Sequence, residues 1–119
     1  MQPRMHPHTN PRVQRLTRGT ELERVRLKGK RFRGASIEAR STASPFAFPR
    51  VGLIVPKYGH TAVDRNRLKR RLRELVRIEV LPVIHPVDLV FRAAPSAYRL
   101  SFESLRQEIL SLVGRMMQN

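Results

Sequence analysis

The sequence contains no cysteine, which excludes disulfide staples and thiolate metal sites and leaves the redox compartment unmarked. Long hydrophobic runs are also missing. The longest apolar stretches, residues 51–55 and 87–91, are far too short to cross a bilayer. The first eight residues lack the apolar stretch of a secretory signal, so a cytoplasmic location and no membrane partner are expected. Acids are scarce, with nine Asp and Glu against 24 Lys and Arg in 119 residues. The few carboxylates are scattered. Glu21 and Glu23 fall at an expected helix start and Glu103 and Glu108 on the last expected helix, so no cluster resembles a two-metal nuclease site. His6 and His8 share an extended segment, but two ligands rarely suffice for a metal. His60 lies beside a basic loop, where a phosphate contact and a structural hydrogen bond are equally open, and His85 sits between prolines. No catalytic residue and no metal site is expected of the protein itself.

What the chain has is cation. The formal net charge is +15 and the pI is near 11.8. Such an excess costs self-repulsion in the compact state and points to a polyanionic partner. Solubility alone would be better served by acids. A membrane surface would call for a basic helix with an aromatic-rich apolar face, and none is present. Nucleic acid is the favoured partner. The length suits one domain that buries about two-thirds of its unfolded surface.

Residues 1–14 mix Pro, His, Asn and Arg without periodicity and read as a flexible basic leader to a domain over residues 15–119. Thr20 and Glu23 have capping-box spacing for a first helix with Leu22, Val25 and Leu27 along its apolar edge. Gly29 suits the left-handed residue that closes it. Residues 31–39 read as a strand with Gly34 at a bulge or close approach, and residues 41–49 as a turn-rich loop. The run at 51–55 suits a strand covered on both faces or central in a sheet, ended by Pro56. A helix follows at about 63–80, with Asp64 as its cap or early acid. A strand at 87–91 and a last helix capped by Ser101 complete the chain. Phe102, Leu105, Ile109, Leu112, Val113 and Met116 recur on one face of that helix, as a core stripe does. Phe32, Phe46, Phe48 and Phe91 are most simply core or loop packing.

The informative segment is residues 57–74. At about 100° per residue, Leu68, Leu72, Leu75 and Val76 form one apolar stripe. Asn66, Lys69, Arg70, Arg73 and Arg77 gather opposite it. Arg67 and Arg71 lie on a flank, and Arg65 projects towards the stripe at the first turn. Ordinary solvated helix faces interleave both signs to gain i,i+4 pairs. Here residues 65–73 hold six Arg or Lys and no acid. Arginine dominates, and its planar fork can bind phosphate oxygens in pairs. Asn66 suits a base edge, a ribose hydroxyl or local capping.

The block Ala62-Val63-Asp64-Arg65-Asn66-Arg67-Leu68-Lys69-Arg70, followed by Arg73-Glu74, resembles the Arg-Asn-Arg signature of the ribonuclease P protein component. Val51 through Lys57 resemble the family strand ending in a basic loop. Arg15-Leu16, the helix closing at Gly29, and the elements from Asp88 and Leu100 match the family in order and spacing. The likeness covers about residues 15–113. It implies an α+β fold, a two-layer α/β sandwich like the second domain of a small-subunit ribosomal protein, with a left-handed βαβ crossover. It implies RNA contacts at Lys57, Arg65, Asn66, Arg67, Lys69, Arg70 and Arg73. It also implies a cleft between the first helix and the sheet for the single-stranded 5′ leader of precursor tRNA. Where relatives present aromatics in that cleft, this chain has Leu22 and Arg26, so charge from Arg26, Arg33 or Arg40 stands in for stacking. Relatives commonly carry a second Lys where this chain has Tyr58, which can stack on a base, and a Gly where it has His60. The implied role is accessory subunit of an RNA-based endoribonuclease. Its partners are the catalytic RNA and precursor tRNA, with no obligate protein partner. No cofactor is expected on the protein alone, and magnesium is expected with the RNA. The alternative is a ribosome-associated or general structured-RNA-binding protein. A major-groove DNA binder and a self-sufficient nuclease fit less well.

Overall fold

The computed structural model describes residues 14–57 and 59–118. The leader expected over residues 1–14, and Tyr58, therefore lie outside the described residues, apart from Gln14. Gln14 is buried and its amide donates to the Pro49 carbonyl at 3.3 Å. The elements are α1 (Gly19–Lys28), β1 (Lys30–Arg33), β2 (Ile37–Ala43), β3 (Arg50–Ile54), α2 (Ala62–Leu75), β4 (Val87–Ala93) and α3 (Phe102–Met117). A π-helical turn, Val76–Val80, extends α2, and a 3-10 turn, Pro95–Arg99, precedes α3.

Four strands form one sheet in the order β1-β2-β4-β3. β1 and β2 make an antiparallel hairpin, β2 pairs antiparallel with β4, and β3 pairs parallel with β4. The β3-α2-β4 segment is thus a βαβ crossover between neighbouring strands. Alternation along β4 sorts the two sides. Val87, Leu89, Phe91 and Ala93 join the main core with Leu72, Leu75, Ile109 and Leu112 of α2 and α3. Val90 faces the other way and packs with Leu16, Val25 and Leu22. Helices α2 and α3 therefore pack on one face, as a two-layer packing requires, and α1 covers part of the second face.

Several local expectations change. α1 begins one residue before Thr20 and has no side-chain cap, because Glu23 is engaged by Arg26 instead of reaching back. Gly29 closes α1 in an extended conformation (φ −76°, ψ 146°) and not a left-handed one. A Cβ there would collide with the Val25 carbonyl and crowd the Ser41 backbone, so closeness explains the glycine. Residues 31–39 are two strands and a turn. Gly34 sits where a Cβ would lie 2.8 Å from the Ile37 carbonyl, the close approach its position suggested. β2 runs on to Ala43, into the expected loop. β3 is an edge strand and not a central one. Its free side is partly occupied by residues 15–16: Arg15 bridges Val51, and the Leu16 N–H donates to the Val51 carbonyl at 2.9 Å.

The two long helices follow their sequence patterns. Thr61 caps α2 by accepting from the Asp64 N–H at 3.1 Å, which leaves Asp64 as the early acid. Leu68, Leu72, Leu75 and Val76 are all buried. Ser101 caps α3, accepting from the Ser104 N–H at 3.1 Å. The α3 stripe is buried except at Phe102, which lies in the first turn at the edge of the core.

Candidate nucleic-acid interface

With its leucines fixed against the sheet, α2 must send its cations outward. Asn66, Arg67, Arg70 and Arg73 are exposed, and Arg65, Lys69 and Arg71 are half-buried along the flanks. None of Arg65, Arg67, Lys69, Arg70, Arg71 and Arg73 forms an ion pair among the described residues. Arg77 differs: it turns to Glu74 and is largely buried, so it leaves the cationic face.

The contrast with the other arginines is the central electrostatic fact. Glu21 and Asp88 hold Arg50, Asp88 also holds Arg24, and Glu23 holds Arg26. Glu38 holds Arg40, while Glu79 and Glu103 share Arg106. Glu108 accepts the Ser36 N–H at 2.7 Å. Asp64, at the positive end of α2, stands just ahead of the acid-free run of residues 65–73. The scarce acids are thus spent on other cations, and α2 keeps its field for a partner.

Two large hollows border this helix. One, of 550 Å³, is lined by Val63, Asn66, Arg67, Lys69, Arg70 and Arg73. The other, of 480 Å³, lies between α2, β3 and residues 15–17. Lys57, Lys69, Arg73 and Arg15 stand around an apolar floor that includes Val51, Leu53 and Val76. The structure therefore brings Lys57 to the same cavity as Lys69 and Arg73, although the chain separates them by a loop and two helical turns. Arg65 lies on the other flank, near enough to Tyr98 for its charge to favour the phenolate, while burial pushes the Tyr98 phenol upward overall.

The expected cleft beside α1 is a 220 Å³ cavity lined by Leu22, Arg26 and Arg40, with Ile54, Val90 and Arg92. Arg33 is not in it. Arg33 sits on the edge strand β1 opposite Glu38, with two strands between it and β3, and lines a neighbouring 390 Å³ hollow at the hairpin turn. The charge available in the cleft also differs from expectation. Arg26 is bonded to Glu23, which holds the Glu23 carboxyl below and the Arg26 guanidinium above their usual ranges. Arg40 binds Glu38 and the Arg26 carbonyl. Arg92 has no such partner among the described residues, and it lines both hollows. Sequence reading missed Arg92 because it falls at a strand end with no motif around it. Arg71 and Tyr98 were missed as a pair for a similar reason: with Arg67 they line a further 150 Å³ hollow, which needs the turn after β4 to be folded against α2.

His60 stacks on Tyr98, with ring centroids 3.7 Å apart. His6 and His8 lie outside the described residues, and no three His, Asp or Glu gather as a metal site among the described ones.

The sequence matches the family model described as Ribonuclease P over residues 11–117. It is 34% identical to the ribonuclease P protein component of Syntrophobacter fumaroxidans, over 92% of this chain and 88% of that protein. It is 38% identical to that of Mycolicibacterium paratuberculosis, over 89% of this chain and 93% of the relative. Among solved structures, the RNase P protein of Staphylococcus aureus superposes with a TM-score of 0.80 at 19% identity, covering 87% of this chain and 94% of that one. The RNase P protein of Thermotoga maritima gives 0.76 at 23%, covering 85% and 96%. These two structural likenesses carry the fold.

Proposed function

This chain belongs to the ribonuclease P protein family and is a protein component of that endoribonuclease, and from that premise we propose how its surface serves the holoenzyme. The α2 face, with Lys57, Arg65, Asn66, Arg67, Lys69, Arg70 and Arg73, contacts phosphates of the ribonuclease P RNA. Each engaged phosphate releases condensed counterions, and the entropy of that release stabilises the complex. The cavity under α1 takes the single-stranded 5′ leader of precursor tRNA against Leu22, Ile54 and Val90, with Arg92 as its available cation. In this reading the catalytic chemistry is the RNA's and the protein's part is accessory. Magnesium held by the RNA would supply the hydrolytic chemistry, and the protein would hold substrate and ribozyme together. No helix among the described residues is long and apolar enough to cross a membrane, and the site of action is the cytoplasm.

One observation supports this reading above the rest: α2 carries six cations that form no ion pair among the described residues, on a helix whose opposite side is locked into the core. The test is reconstitution. Added to its ribonuclease P RNA at low magnesium, the protein should restore 5′ cleavage of precursor tRNA. Binding to that RNA without restored cleavage would instead favour a general structured-RNA-binding role.

A further inference from the structure

Residues 55–61 join β3 to α2 and carry Lys57 to the rim of the cavity it shares with Lys69 and Arg73. A free loop of this kind samples many conformations, and the lysine stem adds more. A phosphate contact made from it loses affinity to ordering entropy unless the loop is fixed beforehand. Three contacts hold its described residues. The His60 N–H donates to the Lys57 carbonyl at 3.3 Å, closing a turn in which Gly59 takes φ 77°, a left-handed value that glycine adopts without strain. The Tyr98 hydroxyl donates to the Pro56 carbonyl at 2.6 Å. The Tyr98 ring lies 13° from parallel with the His60 ring.

Tyr98 is well placed to act as an anchor. It follows the buried Ala97 in the turn between β4 and α3, and it packs against the main core. Burial also raises the pKa of its phenol, so the hydroxyl stays protonated and able to donate. We propose that Tyr98 is a positioning residue for RNA binding: by holding Pro56 and His60 it fixes the turn that presents Lys57 beside Lys69 and Arg73. The inference rests on the reading of Lys57 as a phosphate contact. It adds a residue that touches no phosphate through this route and acts by preorganising one that does.

The experiment is equilibrium binding of the full chain to its ribonuclease P RNA at fixed salt, well below the thermal midpoint of every variant. Tyr98→Phe keeps the ring and removes only the hydroxyl. It should weaken binding by about three- to tenfold, the fold-change matching the net worth of one hydrogen bond, and by no more than Lys57→Ala does. The loss should vanish in the Lys57→Ala background and persist in the Arg70→Ala background. Exchange of the His60 amide proton in the free protein should speed up in the same variant. Should Tyr98→Phe unfold, His60→Ala, which removes the stack alone, must show the same dependence on Lys57. Wild-type affinity for Tyr98→Phe while Lys57→Ala weakens binding would overturn the proposal. So would losses that multiply in the double variant, since Tyr98 would then act independently of Lys57. If neither Lys57→Ala nor Arg70→Ala weakens binding, the phosphate-contact reading itself fails and the inference falls with it.

Discussion

Arg70 and Asp88 show how differently one charge behaves at two places in this molecule. Arg70 is exposed, flanked by like charges and without an ion-pair partner among the described residues. Replacing it by Ala removes repulsion and one donor fork, so stability should stay within about 0.5 kcal/mol of wild type. Affinity for the ribonuclease P RNA should fall by roughly tenfold or more, as expected for a charged hydrogen bond. Arg67→Ala should behave alike. Circular dichroism melts and filter binding check the two halves of this statement, and a collapsed spectrum would contradict it. Asp88 is fully buried and accepts from the Arg50 guanidinium at 2.7 and 2.9 Å while also meeting Arg24. Its charge and hydrogen bonds keep the Arg50 pKa raised. Asp88→Asn strands a buried guanidinium, which should destabilise the fold by about 3 kcal/mol. The low end of the usual range applies because Arg24 is partly solvated and Glu21 still reaches Arg50. Denaturant titration measures that loss.

Among the elements, β3 depends on what lies across it. A Cβ on Gly52 would fall 2.7 Å from a Leu22 methyl and 2.9 Å from the Leu16 carbonyl. The leucine tip can move, but the backbone oxygen is held by the short bridge at Arg15. Gly52→Ala should therefore cost about 1–3 kcal/mol and loosen residues 15–16. Faster exchange at the Leu16 amide, which donates to Val51, would register the loosening. At α3 the dependence is on pH. Glu103 accepts from Gln107 and lies near Arg106, and both hold its carboxyl below the ordinary value of 4.5. A carboxyl depressed in the folded state favours folding above its unfolded value, and that favour is lost as pH falls through the folded one. The first turn of α3 should fray in acid below about pH 4.5, and Glu103→Gln should flatten that dependence. Amide exchange at Leu105, whose N–H bonds Ser101, reads it directly.

For the molecule as a whole, charge separation is the organising fact. Carboxylates bind arginines around α1, the sheet and the π-helical turn, while residues 65–73 of α2 carry cations and no acid. If about six phosphates are neutralised, the logarithm of the binding constant should fall with the logarithm of salt at a slope of about −4 to −5. Titration of binding to the ribonuclease P RNA from low to high salt tests this, and a flat response would remove the electrostatic account. Lys57→Ala should shrink the slope by about one.

Much of this was legible in the residue order because it depends on short-range periodicity. Leucines at 68, 72 and 75 set which side of α2 is buried, and the acid-free run from Arg65 to Arg73 then had to face out. The Ser101 cap and the α3 stripe are equally local. The rest needed distant segments to meet. Arg50 and Asp88 are 38 residues apart, and nothing near either marks them as a pair. The apolar run at 51–55 is compatible with a central strand, and only the pairing order makes it an edge. Whether Arg33 enters the cleft depends on which strand bears it, and that Tyr98 braces Pro56 depends on a turn 42 residues away. Local pattern determined the cationic helix and its buried side, because side-chain direction follows helical pitch. Tertiary packing decided which arginines are neutralised and where Lys57 points, because pairing and position depend on through-space neighbours that the chain order does not contain.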